Sequence, residues 1–91
     1  MAKTVTWTDS LPAWAETALA PVVSRWVIGI DVFPAVGDIP ATVYLIVTNR
    51  GGPINREPLK GSPEKQRIVE TIVAGLKPGA YRRATALAAL F

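Results

Sequence analysis

The sequence contains no histidine and no cysteine among its 91 residues. Without cysteine, the chain can form no disulfide framework, thiolate nucleophile, iron–sulfur site or cysteine-containing zinc site. Without histidine, it lacks the usual general base at neutral pH, and with it Ser-His-Asp chemistry and most transition-metal sites. Only carboxylate, lysine or tyrosine chemistry is left. We therefore expect no enzyme, no cofactor, no metal site and no small-molecule substrate.

The length limits the chain to one core, because independent cores usually need roughly 50–200 residues each. We predict a single small domain over residues 1–91, with a Gly/Pro-rich loop at 49–62. The N-terminus has one lysine and then polar residues where a secretory signal would carry its apolar run. This pattern predicts a cytoplasmic protein, with membrane association as the alternative.

The charge is distributed unevenly along the chain. Residues 1–45 carry two basic and four acidic side chains, whereas residues 46–91 carry eight basic and three acidic ones. A basic C-terminal half is compatible with contact to nucleic acid, to anionic lipid or to an acidic protein surface, and it does not choose among them.

The N-terminal block begins with helical spacing. Asp9 or Ser10 can cap a helix, and apolar residues then recur every three or four positions. Pro21 would remove an intrahelical hydrogen bond and clash with the preceding turn. The pattern predicts a helix over residues 10–20.

β-Branched and aromatic residues follow in two runs, 25–33 and 41–48, with a cluster of proline, glycine and aspartate between them. This arrangement is typical of a β-hairpin with a longer loop. Strict alternation in the first run predicts that one face of the strand carries Trp26, Ile28, Ile30 and Val32.

The C-terminal block predicts two helices. A serine–proline pair at 62–63 suits a helix cap and first position, and apolar residues mark one face of the helix that follows. After a break at 77–79, strong helix formers run over residues 80–91, so the two helices should form an αα-hairpin. The last helix would be apolar nearly all round, which requires cover by a partner or a second copy.

Together these elements predict an α+β fold: an N-terminal helix, a β-hairpin and a C-terminal αα-hairpin. The alternative is a mainly α, membrane-associated protein in which residues 26–47 contact lipid. Asp31 and Asp38 disfavour a single span, because each would cost roughly 2.5–3.5 kcal/mol near the bilayer centre.

Several groupings have a functional and a structural interpretation. Asp31 and Asp38 could form a carboxylate pair that holds a cation, but aspartates beside glycine and proline more often form turns. We therefore interpret both as turn residues. The stretch 49–56 could cradle a phosphate, but it matches no phosphate-binding motif and is interpreted as a solvated loop. The three tryptophans are expected in the core.

The remaining signals point to a binding role. We predict a small non-enzymatic binding or structural protein that acts through protein–protein contact, either with a partner or as a homo-oligomer. A membrane-associated subunit and a nucleic-acid-binding module stay open as alternatives. No motif identifies a family; small phage connector proteins and small inhibitor or immunity proteins share the predicted element order, which transfers no function. The predicted partner-binding residues are Arg50, Arg56, Tyr81, Arg82, Arg83, Leu87, Leu90 and Phe91.

Overall fold

The computed structural model describes residues 5–48 and 53–84, and its central feature is a five-stranded mixed sheet with two helices. The elements are β1 (Asp9–Ser10), α1 (Ala13–Leu19), a 3-10 turn (Ala20–Val22), β2 (Val27–Phe33), β3 (Thr42–Val47), β4 (Asn55–Pro58), α2 (Pro63–Gly75) and β5 (Gly79–Arg82). The strands lie in the order β1-β5-β2-β3-β4, and β1 and β5 form the parallel pair. Within the described part of the chain, no helix combines the length and the apolar character needed to cross a membrane.

The predicted order of helix, hairpin and C-terminal αα-hairpin is wrong, although the α+β class holds in outline. Gly79–Arg82 form β5 between β1 and β2, where the sequence predicted the start of a helix. Because β5 pairs with β1 on one side and β2 on the other, its backbone N–H and C=O groups form hydrogen bonds along both edges. A helix at this position would leave the edge of β2 without a hydrogen-bonding partner. The mainly α alternative is wrong for the same reason: strands, not helices, form the centre of the molecule.

The first helix is also shorter than predicted. It begins at Ala13, because Asp9 and Ser10 pair with β5 and the Leu11 amide donates to the Arg82 carbonyl oxygen at 2.9 Å. In α2, by contrast, the Ser62 hydroxyl accepts a hydrogen bond from the Lys65 amide at 3.2 Å, a regular N-terminal cap. The stretch 49–62, predicted as a loop, contains β4.

Both helices pack on one face of the sheet and close the main core. Five side chains in this core have no exposed surface: Ala15, Leu19, Ile30, Val43 and Ile72. α1 and α2 also contact each other, with the Trp14 ring against Gly75, and Trp14 is exposed rather than in the core.

The alternation predicted for β2 fails at its start. The pairing of β2 with β3 is irregular between Val27 and Gly29, so Val27 joins Ile30 in the main core while Ile28 lies on the opposite face. A bulge adds one residue to one strand, so the residues before the bulge point to the opposite face of the sheet from the one that strict alternation predicts. Gly29, an isolated glycine inside the β-rich run, is a local signal compatible with such an irregularity.

The opposite face of the sheet holds a smaller apolar cluster. Ile28, Ile46 and Ala80 are buried there, and the N-terminal segment crosses them with Trp7. Gly29 makes this crossing possible: a Cβ at this position would lie 2.9 Å from Cη2 of Trp7 and closer still to the Tyr81 carbonyl oxygen. The described part of the N-terminal segment, from Val5 onward, covers part of this face, and the part toward the β2–β3 turn forms the site described next.

Candidate protein-binding surface

The β2–β3 hairpin extends beyond the sheet and ends in a two-residue turn. Val36 and Ile39 exchange both of their backbone hydrogen bonds, each 2.9 Å long, around Gly37 and Asp38. Gly37 has a φ of 57°, in the left-handed region that glycine enters at little cost. The turn is therefore locally well defined, although it projects away from the core.

This extension carries an exposed apolar surface. Four large hydrophobic side chains of the described residues are exposed, and three of them are here: Phe33 at 39%, Val36 at 63% and Ile39 at 66%. The Phe33 ring meets the Tyr44 ring edge to face, with centroids 5.1 Å apart. We call the set formed by Phe33, Pro34, Val36, Ile39, Pro40 and Tyr44 the hairpin surface; it lines a groove of about 270 Å³.

One charged residue lines the same groove. Arg56, on β4, donates from Nε to Oδ2 of Asp31 at 2.9 Å. The side chain of Asp31 is only 12% exposed and lies in the middle of β2, so its interpretation as a turn residue is wrong, whereas Asp38 does lie in the turn. The ion pair fixes the position of the guanidinium group at the groove and neutralises its charge locally.

Of the predicted partner-binding residues, Arg56 alone among those described lies at the hairpin surface. Tyr81 is buried and donates to the Lys77 carbonyl oxygen at 3.0 Å. Arg82 lies over the Trp7 ring, 5.5 Å from its centroid, and Arg83 donates to backbone carbonyl oxygens of the segment before β2 and of β2 itself. The positions predicted at Arg50, Leu87, Leu90 and Phe91 are outside the described residues.

Sequence reasoning missed the apolar residues of the hairpin surface. It treated residues 34–40 as breakers between two strands, although Val36 and Ile39 flank a glycine–aspartate pair. A two-residue Gly-Asp sequence flanked by apolar residues is a hairpin-turn signal, and it would have placed the side chains of Val36 and Ile39 at an exposed tip.

The described residues contain no group of three or more carboxylate, histidine or cysteine side chains that could hold a metal ion. The surface consists of aliphatic and aromatic side chains around one ion pair, an arrangement suited to recognition by contact. Comparison of the chain with protein-family models, curated proteins and solved structures finds no match, so this geometry is the basis for inferring function.

Proposed function

We propose that this protein is a small non-enzymatic binding protein that acts through protein–protein contact, and that the partner docks on the hairpin surface. The observation that carries the proposal is the clustering of three exposed apolar side chains, Phe33, Val36 and Ile39, on one projecting turn. Exposed apolar residues scattered singly are ordinary, whereas a contiguous patch is typical of an interaction site.

The energetics favour a partner for this surface. Burial of a Val, Ile or Phe side chain contributes roughly 1.5–3 kcal/mol relative to exposure. The turn and the ring pair are held by backbone hydrogen bonds and by edge-to-face packing, so little ordering is needed when a partner binds. Asp38 and Arg56 supply polar groups near the apolar centre, as in known interfaces.

A protein partner is favoured over lipid or nucleic acid by the surroundings of this surface. Asp38 lies at the very tip, where a membrane-inserting loop would place a carboxylate in the apolar region. Three arginines of the described chain already have internal contacts, Arg56 with Asp31, Arg82 with Trp7 and Arg83 with carbonyl oxygens, which leaves them poorly placed for phosphate groups.

The test compares substitutions on this surface with one elsewhere. The double variant Val36→Ser/Ile39→Ser removes apolar surface from the tip, and the control Trp14→Ser removes the fourth exposed hydrophobic residue, on α1. Partners are captured from the source cells with wild-type protein, purified, and titrated calorimetrically against all three chains; light scattering reports self-association.

We expect the double variant to raise the Kd for the partner, or for a second copy, at least about tenfold, and the control to leave it within about twofold. A Kd that follows Trp14→Ser and ignores the tip would refute the proposed surface. Binding of lipid vesicles or of single-stranded nucleic acid through Val36 and Ile39, with no protein partner, would refute the protein partner.

A further inference from the structure

A second groove lies between the base of the β2–β3 hairpin and α2. Its volume is about 320 Å³, and the α2 residues that line it include Val69, Val73 and Ala74. The hairpin contributes Pro40 and Ala41, and Pro40 also lines the groove of the hairpin surface. We call the second groove the helix-side groove, because α2 forms one of its walls.

The two grooves lie on opposite faces of the hairpin. Val43 and Leu45 belong to the main core beneath the helices, so Tyr44, which lies between them on β3 and lines the hairpin surface, points to the opposite face. Every residue from 33 to 40 is exposed. The hairpin is therefore accessible on both faces, and a partner that covered one face alone would leave the groove on the other face in contact with water.

Two carboxylates lie along this projection without a basic partner. Asp38 lies at the tip, and Glu70 lines the helix-side groove; both side chains are exposed. Within the described part of the chain, neither forms an ion pair, whereas Arg56, the basic residue at the hairpin surface, is already paired with Asp31. The chain as a whole carries a net charge of +3, so these free carboxylates differ in sign from the protein that presents them.

We propose that the hairpin inserts into a cleft of a separate protein, which contacts both faces of the hairpin and places basic side chains against Asp38 and Glu70. This proposal rests on the proposed function and specifies the partner as a concave surface that is apolar inside and basic opposite the two carboxylates. Apolar side chains on both faces supply the contact area, and the opposite charges fix the orientation and speed the encounter. A flat partner surface would leave the helix-side groove uncovered and Glu70 unpaired.

The first test asks whether the partner reaches the helix-side groove. Ala74→Gln adds bulk without charge at an exposed residue of this groove, and Thr71→Gln enlarges an exposed α2 residue that lines neither groove. The partner purified by capture on the wild-type chain is titrated calorimetrically against both variants. We expect Ala74→Gln to raise the Kd at least about fivefold and the control to leave it within about twofold.

The second test measures the contribution of charge. Asp38→Lys and Glu70→Lys reverse the two carboxylates, and the control Glu57→Lys reverses an exposed carboxylate on β4 that lines neither groove. Association rates are measured by biolayer interferometry, and amide dispersion in ¹⁵N spectra checks that each variant is folded. Each of the first two variants should associate at least about threefold more slowly than the control at about 50 mM salt, and this difference should shrink at about 500 mM salt because salt screens the charges.

The outcomes separate this proposal from the proposed function. If Val36→Ser/Ile39→Ser weakens binding while Ala74→Gln and both charge reversals do not, the partner binds one face of the hairpin and the cleft is refuted, although the hairpin surface stands. Absence of a captured partner, or a Kd that ignores the tip variant, refutes both. Light scattering that shows a second copy bound through the hairpin, in place of a separate protein, would overturn the cleft as well.

Discussion

The two faces of the sheet differ in what covers them. On one face, α1 and α2 leave side chains such as Ile30, Val43 and Ile72 without any exposed surface. On the other, a single extended segment carrying Trp7 crosses the sheet, and the rest is an ion pair and the hairpin surface. Buried aliphatic packing is the principal source of stability, whereas the partly covered face retains apolar groups that a partner can bury.

The difference also appears in how the two faces use charge. Among the described residues, Asp31 is the charged side chain that counts as buried, and it lies on the opposite face, paired with Arg56. A buried carboxylate is costly without a partner, and this pair links β4 to β2 across β3. We therefore expect substitutions on the helix-covered face to change the free energy of unfolding most, and those at the hairpin surface to change binding.

The largest effect should come from Ile72→Ala. Ile72 is fully buried between α2 and the sheet, so truncation removes apolar contacts and leaves a cavity. The free energy of unfolding should fall by about 2–5 kcal/mol in urea titrations followed by circular dichroism. The control Ile39→Ala removes the same atoms from an exposed site and should stay within about 0.5 kcal/mol. Equal losses for the two variants would contradict the distinction between the faces.

A smaller but still large effect is expected from Gly29→Ala on the Trp7 side. The added methyl group would collide with the Tyr81 carbonyl oxygen and the Trp7 ring, and the backbone atom cannot move without breaking the β2–β5 pairing. We expect a loss of roughly 2–3 kcal/mol, measured in the same way.

Gly75→Ala is the matched control, because the three atoms nearest to its methyl group would all belong to the ring of Trp14, an exposed side chain, and none to the backbone. Alanine also favours a helix by up to about 1 kcal/mol over glycine, so this variant should lose little or gain. If both variants lost a similar free energy of unfolding, the collision with the tryptophan ring, and not with the backbone of β5, would be the main cause of the loss at Gly29.

The smallest of the three effects should come from Arg56→Ala. The substitution leaves the Asp31 carboxylate, 12% exposed, without its charged donor. We expect the free energy of unfolding to fall by about 1–2 kcal/mol, limited by the partial exposure of the arginine. Lys60→Ala removes the same charge from an exposed position and should have no measurable effect. If the double variant Asp31→Ala/Arg56→Ala were as unstable as the sum of the single variants, the pair would have no coupling.

Part of the fold could be read from local pattern. The α+β class followed from the change from helical spacing to β-rich runs, and the α2 start followed from its serine–proline cap. The failures have a common cause in long-range pairing. Ala80, Tyr81 and Arg82, where the sequence predicts the start of a helix, belong to β5 because the β2 edge is available to them. Ile28 changes face because of a bulge against β3.

The candidate site was predictable only in part. Arg56 was singled out as a basic loop residue, but its position on β4 and its carboxylate partner depend on strand pairing over 25 positions. The Gly-Asp pair at 37–38 is a local signal for a tip flanked by Val36 and Ile39, but Phe33 belongs to the preceding β-rich run, and only the packing shows that the three side chains remain exposed together. Exposure is a property of what packs against a residue, and that depends on elements that are distant along the chain.

By itself, the sequence determined the chemistry that this chain lacks: with no histidine and no cysteine, it has neither an imidazole nor a thiol, and its charged groups are carboxylates, amines and guanidinium groups. The sequence also determined where some helices and turns begin or end, because Pro21, Gly37 and Ser62 act on their own backbone neighbours. Only the tertiary structure decided which strands pair, which face each side chain takes and where an apolar patch stays open. Those outcomes depend on contacts between residues far apart in the chain, whose free energies exceed the weak local preferences that a sequence displays.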